Sequence, residues 1–223
     1  MTRRLATRAL GGTFIAHRYR PIGGHFAHNA GVGRQTEPGC IHTMIVAPYD
    51  PAWPERFAAE AERIYRAFGQ RALRTEHVGS TAIPGLAAKP VIDIQVSVPS
   101  LEPRDFYRGR LADLGYTHFP LGEFDLVYPF FKRPAEWPSS HHVHLCVSGS
   151  EQERNHLAFR DYLRRQPVVA LEYEAFKRRL AVAHDGLTME SQECYSLAKS
   201  EFVQSVLAGA FAEAHGHGHR DDG

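Results

Sequence analysis

Two neighbouring segments of the chain carry residue types that suit phosphate and metal chemistry. The first, residues 77–81 (HVGST), ends a strand-like stretch in Gly79-Ser80, and glycine lets a backbone approach a ligand closely. Where a helical turn begins at such a point, free N–H groups and the Ser80 hydroxyl can hold a phosphate. The second segment, residues 89–95 (KPVIDIQ), contains the carboxylate of Asp93. A carboxylate close to that turn can bind a divalent cation that bridges phosphate oxygens.

Asp93 lies 13 residues after Ser80. This spacing is similar to that of polymerase-β-like nucleotidyltransferases, in which a Gly-Ser turn precedes a strand with two alternating acids. The position of the second acid is occupied here by Gln95, whose neutral amide is a poor magnesium ligand. Two interpretations of Asp93 therefore stay open: a metal ligand in a nucleotide site, or a buried, hydrogen-bonded acid in a core strand that follows a Gly-rich turn.

Histidines form a second group of candidates. His142 and His144 alternate in the segment HVHLCV, so a strand there presents both on one face and His141 on the other. His77 ends the strand before the Gly-Ser turn. Neutral imidazole binds Zn²⁺ or Mn²⁺ and can serve as a general base. The alternative is that these are structural histidines that line a polar pocket.

Cations come from the C-terminal half. Arg160 follows His156 by four residues and Lys199 follows Tyr195 by four, so each pair shares one helix face. Together with Lys89, these cations can neutralise phosphate charge. Basic residues on helices more often face solvent, and Arg164, Arg165, Arg178 and Arg179 are interpreted in that way.

Apolar periodicity predicts the elements that must position these residues. The segment VIDIQVSV is the clearest strand, because β-branched residues alternate with polar ones. Helices precede it and dominate the last third of the chain, which predicts an α+β fold with a mixed sheet. The predicted helices cover residues 50–69, 103–114, 151–165, 168–184 and 189–208, and the predicted strands 73–78, 91–98, 116–119, 126–132 and 142–147.

Composition and the chain ends narrow the class of protein. Of 223 residues, 43% are hydrophobic and 23% charged, with a net charge of +1, so a globular protein is predicted and nothing indicates a nucleic-acid partner. No apolar run suggests a membrane span, and three scattered cysteines favour a cytoplasmic location. Residues 1–43, with six arginines and one acid, are expected to be a disordered or mis-annotated extension, and residues 209–223 a disordered Gly/His-rich tail.

The combination of motifs in residues 44–208 resembles the GrpB family, whose members are assigned to the nucleotidyltransferase fold. The motifs that carry the resemblance are YDPAW (49–53), EHVGSTAIPGL (76–86), KPVIDI (89–94), HVHL (142–145), FRDYLR (159–164) and YSLAK (195–199). The resemblance implies a nucleotidyltransferase-like mixed sheet packed by helices, with a helical C-terminal half and a ligand site. It also implies that the missing second acid is usual in the family, so it indicates a fold and a site more securely than a reaction.

Three functions follow as hypotheses. The first is a nucleotidyltransferase-like protein that binds a nucleotide or other phosphorylated ligand with Mg²⁺, or with Mn²⁺ or Zn²⁺ in its place. The second is a non-catalytic ligand-binding or folding-accessory protein on the same fold, and the third a metal-dependent phosphohydrolase that uses His and Asp. The predicted site comprises catalytic Asp93, His142 and His144, with Asp93 as metal ligand; phosphate-binding Gly79, Ser80, Lys89, Arg160, Tyr195 and Lys199; and His77 and Gln95 as further pocket residues.

Overall fold

The structure is a computed structural model that describes residues 45–136, 138–183, 195 and 197–216. The predicted extension 1–43 and the last seven residues of the predicted tail lie outside the described residues. Every helix in the described part of the chain is too short or too polar to cross a lipid bilayer.

Five strands and five α-helices make up the described fold. In chain order they are α1 (Trp53–Phe68), β1 (Arg74–Val78), β2 (Ile92–Val98), α2 (Arg104–Asp113), β3 (Thr117–Phe119), β4 (Phe130–Arg133), β5 (His141–Val147), α3 (Glu151–Arg165), α4 (Pro167–Ala183) and α5 (Ser200–Gly216).

The strands form one mixed sheet in the order β1-β2-β5-β4-β3. β2 and β5 run parallel at its centre, and the other neighbours are antiparallel. The α+β class and the mixed sheet packed by helices, both predicted from the sequence, are confirmed.

The register of the central strands decides which side chains share a face. Asp93 pairs with His142, and Gln95 pairs with His144. On the outer side of β5, Lys132 pairs with His142 and Phe130 with His144. Because side chains alternate along a strand, all six project from the same face of the sheet, which we call the polar face.

The opposite face carries the main core. Ile92, Ile94 and Val96 of β2 alternate with the polar residues and pack with Val143 and Leu145 of β5. α1 and α2 cover this face with apolar side chains that include Trp53, Ile64, Phe68, Tyr107 and Leu111. The polar face is instead flanked by α3, which contacts both β1 and β5.

The helical half has a second core. Ile83 and Leu86, in the loop before β2, pack with α3, α4 and α5 through Phe159, Tyr173 and Val206. This packing attaches the loop that carries the predicted phosphate turn to the three C-terminal helices.

Two predicted boundaries are wrong. The strand predicted for residues 126–132 begins only at Phe130, because Gly122–Leu126 forms a 3₁₀ turn. Arg104 fixes that turn by donating to the carbonyl oxygens of Asp125 and Leu126, both at 2.9 Å. The tail predicted from residue 209 is helical to Gly216, since the apolar period continues to buried Ala210.

A buried ion-pair network ties α1 to the sheet. Glu60 of α1 is 4% exposed. Its two carboxylate oxygens accept hydrogen bonds from the Arg133 guanidinium, both at 2.9 Å, and from Arg63 and the Tyr116 hydroxyl. Burial raises the pKa of Glu60, but the hydrogen bonds from Arg133 and Arg63 outweigh it and hold the pKa below its ordinary value.

Removing this carboxylate should destabilise the fold strongly. We expect Glu60→Ala to lower the free energy of unfolding by about 3 kcal/mol at pH 7, because Arg133 is left without its charged partner. The lowered pKa means that Glu60 stabilises the fold fully above its ordinary pKa of 4.5, and that this contribution is lost as the pH falls through the folded value. Urea titrations at pH 7 and pH 3 measure both effects.

Glu62→Ala is the matched control. Its ion pair with Arg66 is exposed on the same helix, so a loss of no more than about 0.5 kcal/mol is expected. Equal losses for the two variants, or a Glu60→Ala deficit that does not shrink at low pH, would contradict the assignment.

Candidate functional site

Asp93, His142 and His144 converge on the polar face of the sheet. The His142 Nδ1 atom lies 3.0 Å from Asp93 Oδ1, and the His144 Nε2 atom lies 3.8 Å from the same oxygen. One ligand atom from each residue falls within 4.8 Å of the others. The parallel pairing of β2 with β5 produces this cluster, because it brings Asp93 directly opposite His142 with His144 two residues further along. The three side chains are 19–28% exposed, so a ligand can reach them.

The Gly-Ser turn lies against the Asp93 carboxylate. Gly79 has φ +70°, and a Cβ atom built on it would fall 2.4 Å from Asp93 Oδ2. Only glycine permits both the backbone angle and the close approach. The turn is therefore packed on the candidate metal ligand itself, as the sequence spacing suggested.

The protonation states suit metal binding. Burial raises the pKa of Asp93, but the hydrogen bond with His142 and the nearby His144 imidazole outweigh it and hold the pKa well below its ordinary value. Burial lowers the pKa of His142 and outweighs the opposing effect of Asp93. At neutral pH the pair is an ionised carboxylate beside a neutral imidazole, and a metal ion that takes the place of the hydrogen shared by Nδ1 and the carboxylate can bind both atoms.

Aromatic rings hold His144 in place. Tyr128 and Phe130 stack on its imidazole with centroid distances of 4.9 Å and interplanar angles of 17° and 29°. Sequence reasoning did not select either aromatic. Phe130 pairs with His144 where β4 lies beside β5. Knowledge of this pairing would have identified Phe130, but the strands predicted from the sequence do not show which residues pair.

Gln95, at the position of the second acid, is fully buried and engaged with α3. Its Oε1 atom lies 2.9 Å from the His156 Nδ1 atom, which also contacts the Tyr128 hydroxyl. Among the described residues, the Gln95 Nε2 atom and the His144 Nδ1 atom are buried without a hydrogen-bond partner. His156, noted in the sequence only for its spacing to Arg160, is thus a neighbour of the site.

Two lysines, Lys89 and Lys199, interact electrostatically with the Asp93 carboxylate. Burial lowers the pKa of Lys89 to about 8, with Asp93 opposing the shift and the like charges of Lys199 and Lys132 adding to it. Burial also lowers the pKa of Lys199, again opposed by Asp93. Lys177 is coupled to Lys199: burial, followed by the charge of Lys199, lowers the pKa of Lys177 to about 7. Lys132 and Lys177 were not selected from the sequence.

Tyrosines line the same region. Tyr173 lies beside Ser80, whose side chain opposes the rise that burial causes in the Tyr173 pKa, and the Lys177 Nζ atom lies 4.8 Å from the centre of the Tyr173 ring. The Lys199 Nζ atom lies 4.6 Å from the centre of the Tyr195 ring. The structure thus groups Ser80, Lys89, Tyr195 and Lys199 of the predicted set near Asp93, on the side of the helical half.

Two predicted site residues are placed elsewhere. Arg160 is 7% exposed. Its guanidinium donates hydrogen bonds to Glu76, Asp161 and the His77 carbonyl oxygen, at 2.6, 2.7 and 3.0 Å. It links α3 to β1 instead of facing a phosphate. His77 pairs with Ile94, so strand alternation turns it away from Asp93, and its ring stacks on Phe57 of α1 at 4.8 Å.

Substituting Gly79 tests its contact with Asp93. Gly79→Ala should lower the free energy of unfolding by about 1–2 kcal/mol for the left-handed backbone and by about 1–3 kcal/mol more for the collision with the carboxylate. Gly85→Ala isolates the backbone cost, because Gly85 has φ +78° and open space around its Cβ position. Chemical denaturation of both variants measures the difference. Equal losses for Gly79→Ala and Gly85→Ala would show that the turn does not press on Asp93.

Comparisons with known proteins agree with the motifs. Residues 43–208 match the family model described as GrpB protein. The chain is 35% identical over 158 residues to the UPF0157 protein YqkA of Bacillus subtilis, and this match spans 71% of the chain but only 44% of that protein. It is 34% identical over 184 residues to a protein of Mycolicibacterium paratuberculosis named dephospho-CoA kinase, spanning 72% of the chain and 44% of that protein.

A solved structure extends the comparison to the fold. The crystal structure of the conserved protein GrpB from Enterococcus faecalis aligns with a TM-score of 0.66 and 35% identity, over 76% of this chain and 99% of that one. Since the family model matches residues 43–208, which is most of the chain, and a GrpB structure aligns over 76% of it, this chain belongs to the GrpB family.

Proposed function

We propose that the protein binds a nucleotide, or another phosphorylated small molecule, together with a divalent cation on the polar face of its sheet. The observation that carries this proposal is the position of the Asp93 carboxylate, which lies against the Gly79-Ser80 turn and within electrostatic range of Lys89 and Lys199. A cation held by Asp93 would lie where phosphate oxygens can complete its coordination.

Charge supports an anionic ligand. The charge of Lys199 lowers the pKa of both Lys89 and Lys177, and Asp93 is the acid that opposes the shifts of Lys89 and Lys199. A phosphate group bound among these ammonium groups would relieve their mutual repulsion. The relative named dephospho-CoA kinase is consistent with phosphate chemistry, although the match covers less than half of that protein.

Gln95 favours binding over two-metal transfer. A second metal ion needs a second carboxylate, and the amide of Gln95 is neutral, buried and engaged by His156. The proposal therefore commits to a ligand-binding protein that uses one cation. Phosphoryl or nucleotidyl transfer by that single cation, like a cytoplasmic location, stays a prediction.

Asp93→Asn tests the proposal, because it keeps the side-chain shape and removes the charge. ATP serves as the probe, and calorimetry measures its affinity with and without Mg²⁺ or Mn²⁺. We expect the wild-type protein to bind ATP more tightly with the cation, and Asp93→Asn to lose at least tenfold of that affinity, about 1.4 kcal/mol.

Asp113→Asn is the control, since Asp113 is exposed at the end of α2, and it should bind as the wild type does. Thermal unfolding checks that each variant is folded. Equal ATP affinity in Asp93→Asn and wild type, with and without cation, would contradict the cation-dependent site. Unfolding of Asp93→Asn would instead identify Asp93 as a structural acid.

A further inference from the structure

We infer that Asp93 Oδ1, His142 Nδ1 and His144 Nε2 form a three-ligand site for a first-row transition-metal ion such as Zn²⁺, in preference to Mg²⁺. The inference deepens the proposed function, because it names the cation and its ligand atoms. The metal site is tested without any phosphorylated ligand, so that the metal-site inference and the proposed function can fail separately.

The interatomic distances fit a metal centre. Zinc lies about 2.0–2.2 Å from nitrogen and oxygen ligands, which sets neighbouring ligand atoms about 3.4 Å apart in tetrahedral geometry. The separations of 3.0 and 3.8 Å from Asp93 Oδ1 to the two imidazole nitrogens bracket that value. All three atoms lie within 4.8 Å of one another, so small side-chain rotations close the set around one ion.

The donor types decide which metal is favoured. Mg²⁺ prefers an octahedral shell of oxygen ligands, whereas imidazole suits zinc and its first-row neighbours. One carboxylate and two imidazoles therefore disfavour magnesium. Three protein ligands also leave a coordination position open, as in zinc sites that bind water or substrate.

The imidazoles are held in ligand orientation. Tyr128 and Phe130 stack on His144 and fix the plane of its ring, with Nε2 toward Asp93. Phe130 also meets the His142 ring edge-on at a centroid distance of 4.9 Å. Stacked rings reduce the rotamer freedom that a flexible histidine would lose on binding. Gly79 holds the carboxylate from the other side, where a Cβ atom would collide with Asp93 Oδ2.

The decisive experiment measures metal binding to the full chain. Because His215, His217 and His219 near the end of the sequence can also bind zinc, all proteins carry asparagine at these three positions. After metal removal, competition with a chromophoric chelator measures Zn²⁺ affinity, and elemental analysis measures stoichiometry. We expect one tightly bound Zn²⁺ per chain that a hundredfold excess of Mg²⁺ does not displace.

Single substitutions identify the ligands. His142→Ala, His144→Ala and Asp93→Asn should each weaken Zn²⁺ binding at least tenfold. With Co²⁺ in place of zinc, each should also change the visible absorption bands that report on coordination. His118→Ala is the matched control: His118 Nε2 lies 2.8 Å from Asp125 Oδ1, an equally close pair outside the cluster. It should leave the affinity unchanged.

Three results would overturn the inference: Mg²⁺ that displaces Zn²⁺ at comparable concentration, Zn²⁺ affinity unaffected by both histidine substitutions, or an equal loss in His118→Ala. His142→Asn and His144→Asn replace the alanine variants if circular dichroism shows those to be unfolded. Tight zinc binding without ATP binding would reject the proposed function and keep the metal site. ATP binding that depends on Mg²⁺, with no tight zinc site, would do the reverse.

Discussion

The parallel pairing of β2 with β5 is the contact on which the rest of the site depends. It aligns two polar-apolar alternating strands so that Asp93 faces His142 and Gln95 faces His144, while the intervening residues build the core beneath α1 and α2. A shift of one residue in this register would turn the carboxylate into the apolar core and the valines outward. The hydrophobic effect that buries Ile94, Val96 and Val143 therefore also fixes the polar cluster.

The chain on either side of β2 adapts to the carboxylate that this pairing creates. Gly79 provides the one backbone conformation and the absence of a side chain that allow the turn to lie against Asp93. The loop that follows is anchored by Ile83 and Leu86 in the second core, while Lys177 of α4 and Lys199, just before α5, lie close enough for the charge of Lys199 to lower the pKa of Lys177. Burial of a lysine is costly, and Asp93 offsets part of that cost for Lys199 as Glu174 does for Lys177.

Much of this arrangement could be predicted from the sequence, and the failures have physical causes. Strict alternation identified β2 and β5, and it predicted that His142 and His144 share a face. The same rule, applied to His77, would have shown that it faces the other side, but the antiparallel register of β1 was unknown. Arg160 was misjudged because spacing on a helix does not reveal Glu76 on a neighbouring strand as its partner. For both His77 and Arg160, the deciding contact is with a residue on another strand or helix.

The residues that spacing could not identify explain why the site differs from a two-acid centre. Gln95 occupies the position where a second carboxylate would project, and α3 closes over it through His156 while Tyr128 closes from the β4 side. An acid at this position would be buried beside His156 with no exposed path to solvent, and it would lie next to Asp93 on the same strand face. Two carboxylates so close, with the second fully buried, would repel each other strongly. A neutral amide removes that repulsion, and the group that lies beside Asp93 in place of a second acid is the His144 imidazole, stacked between Tyr128 and Phe130.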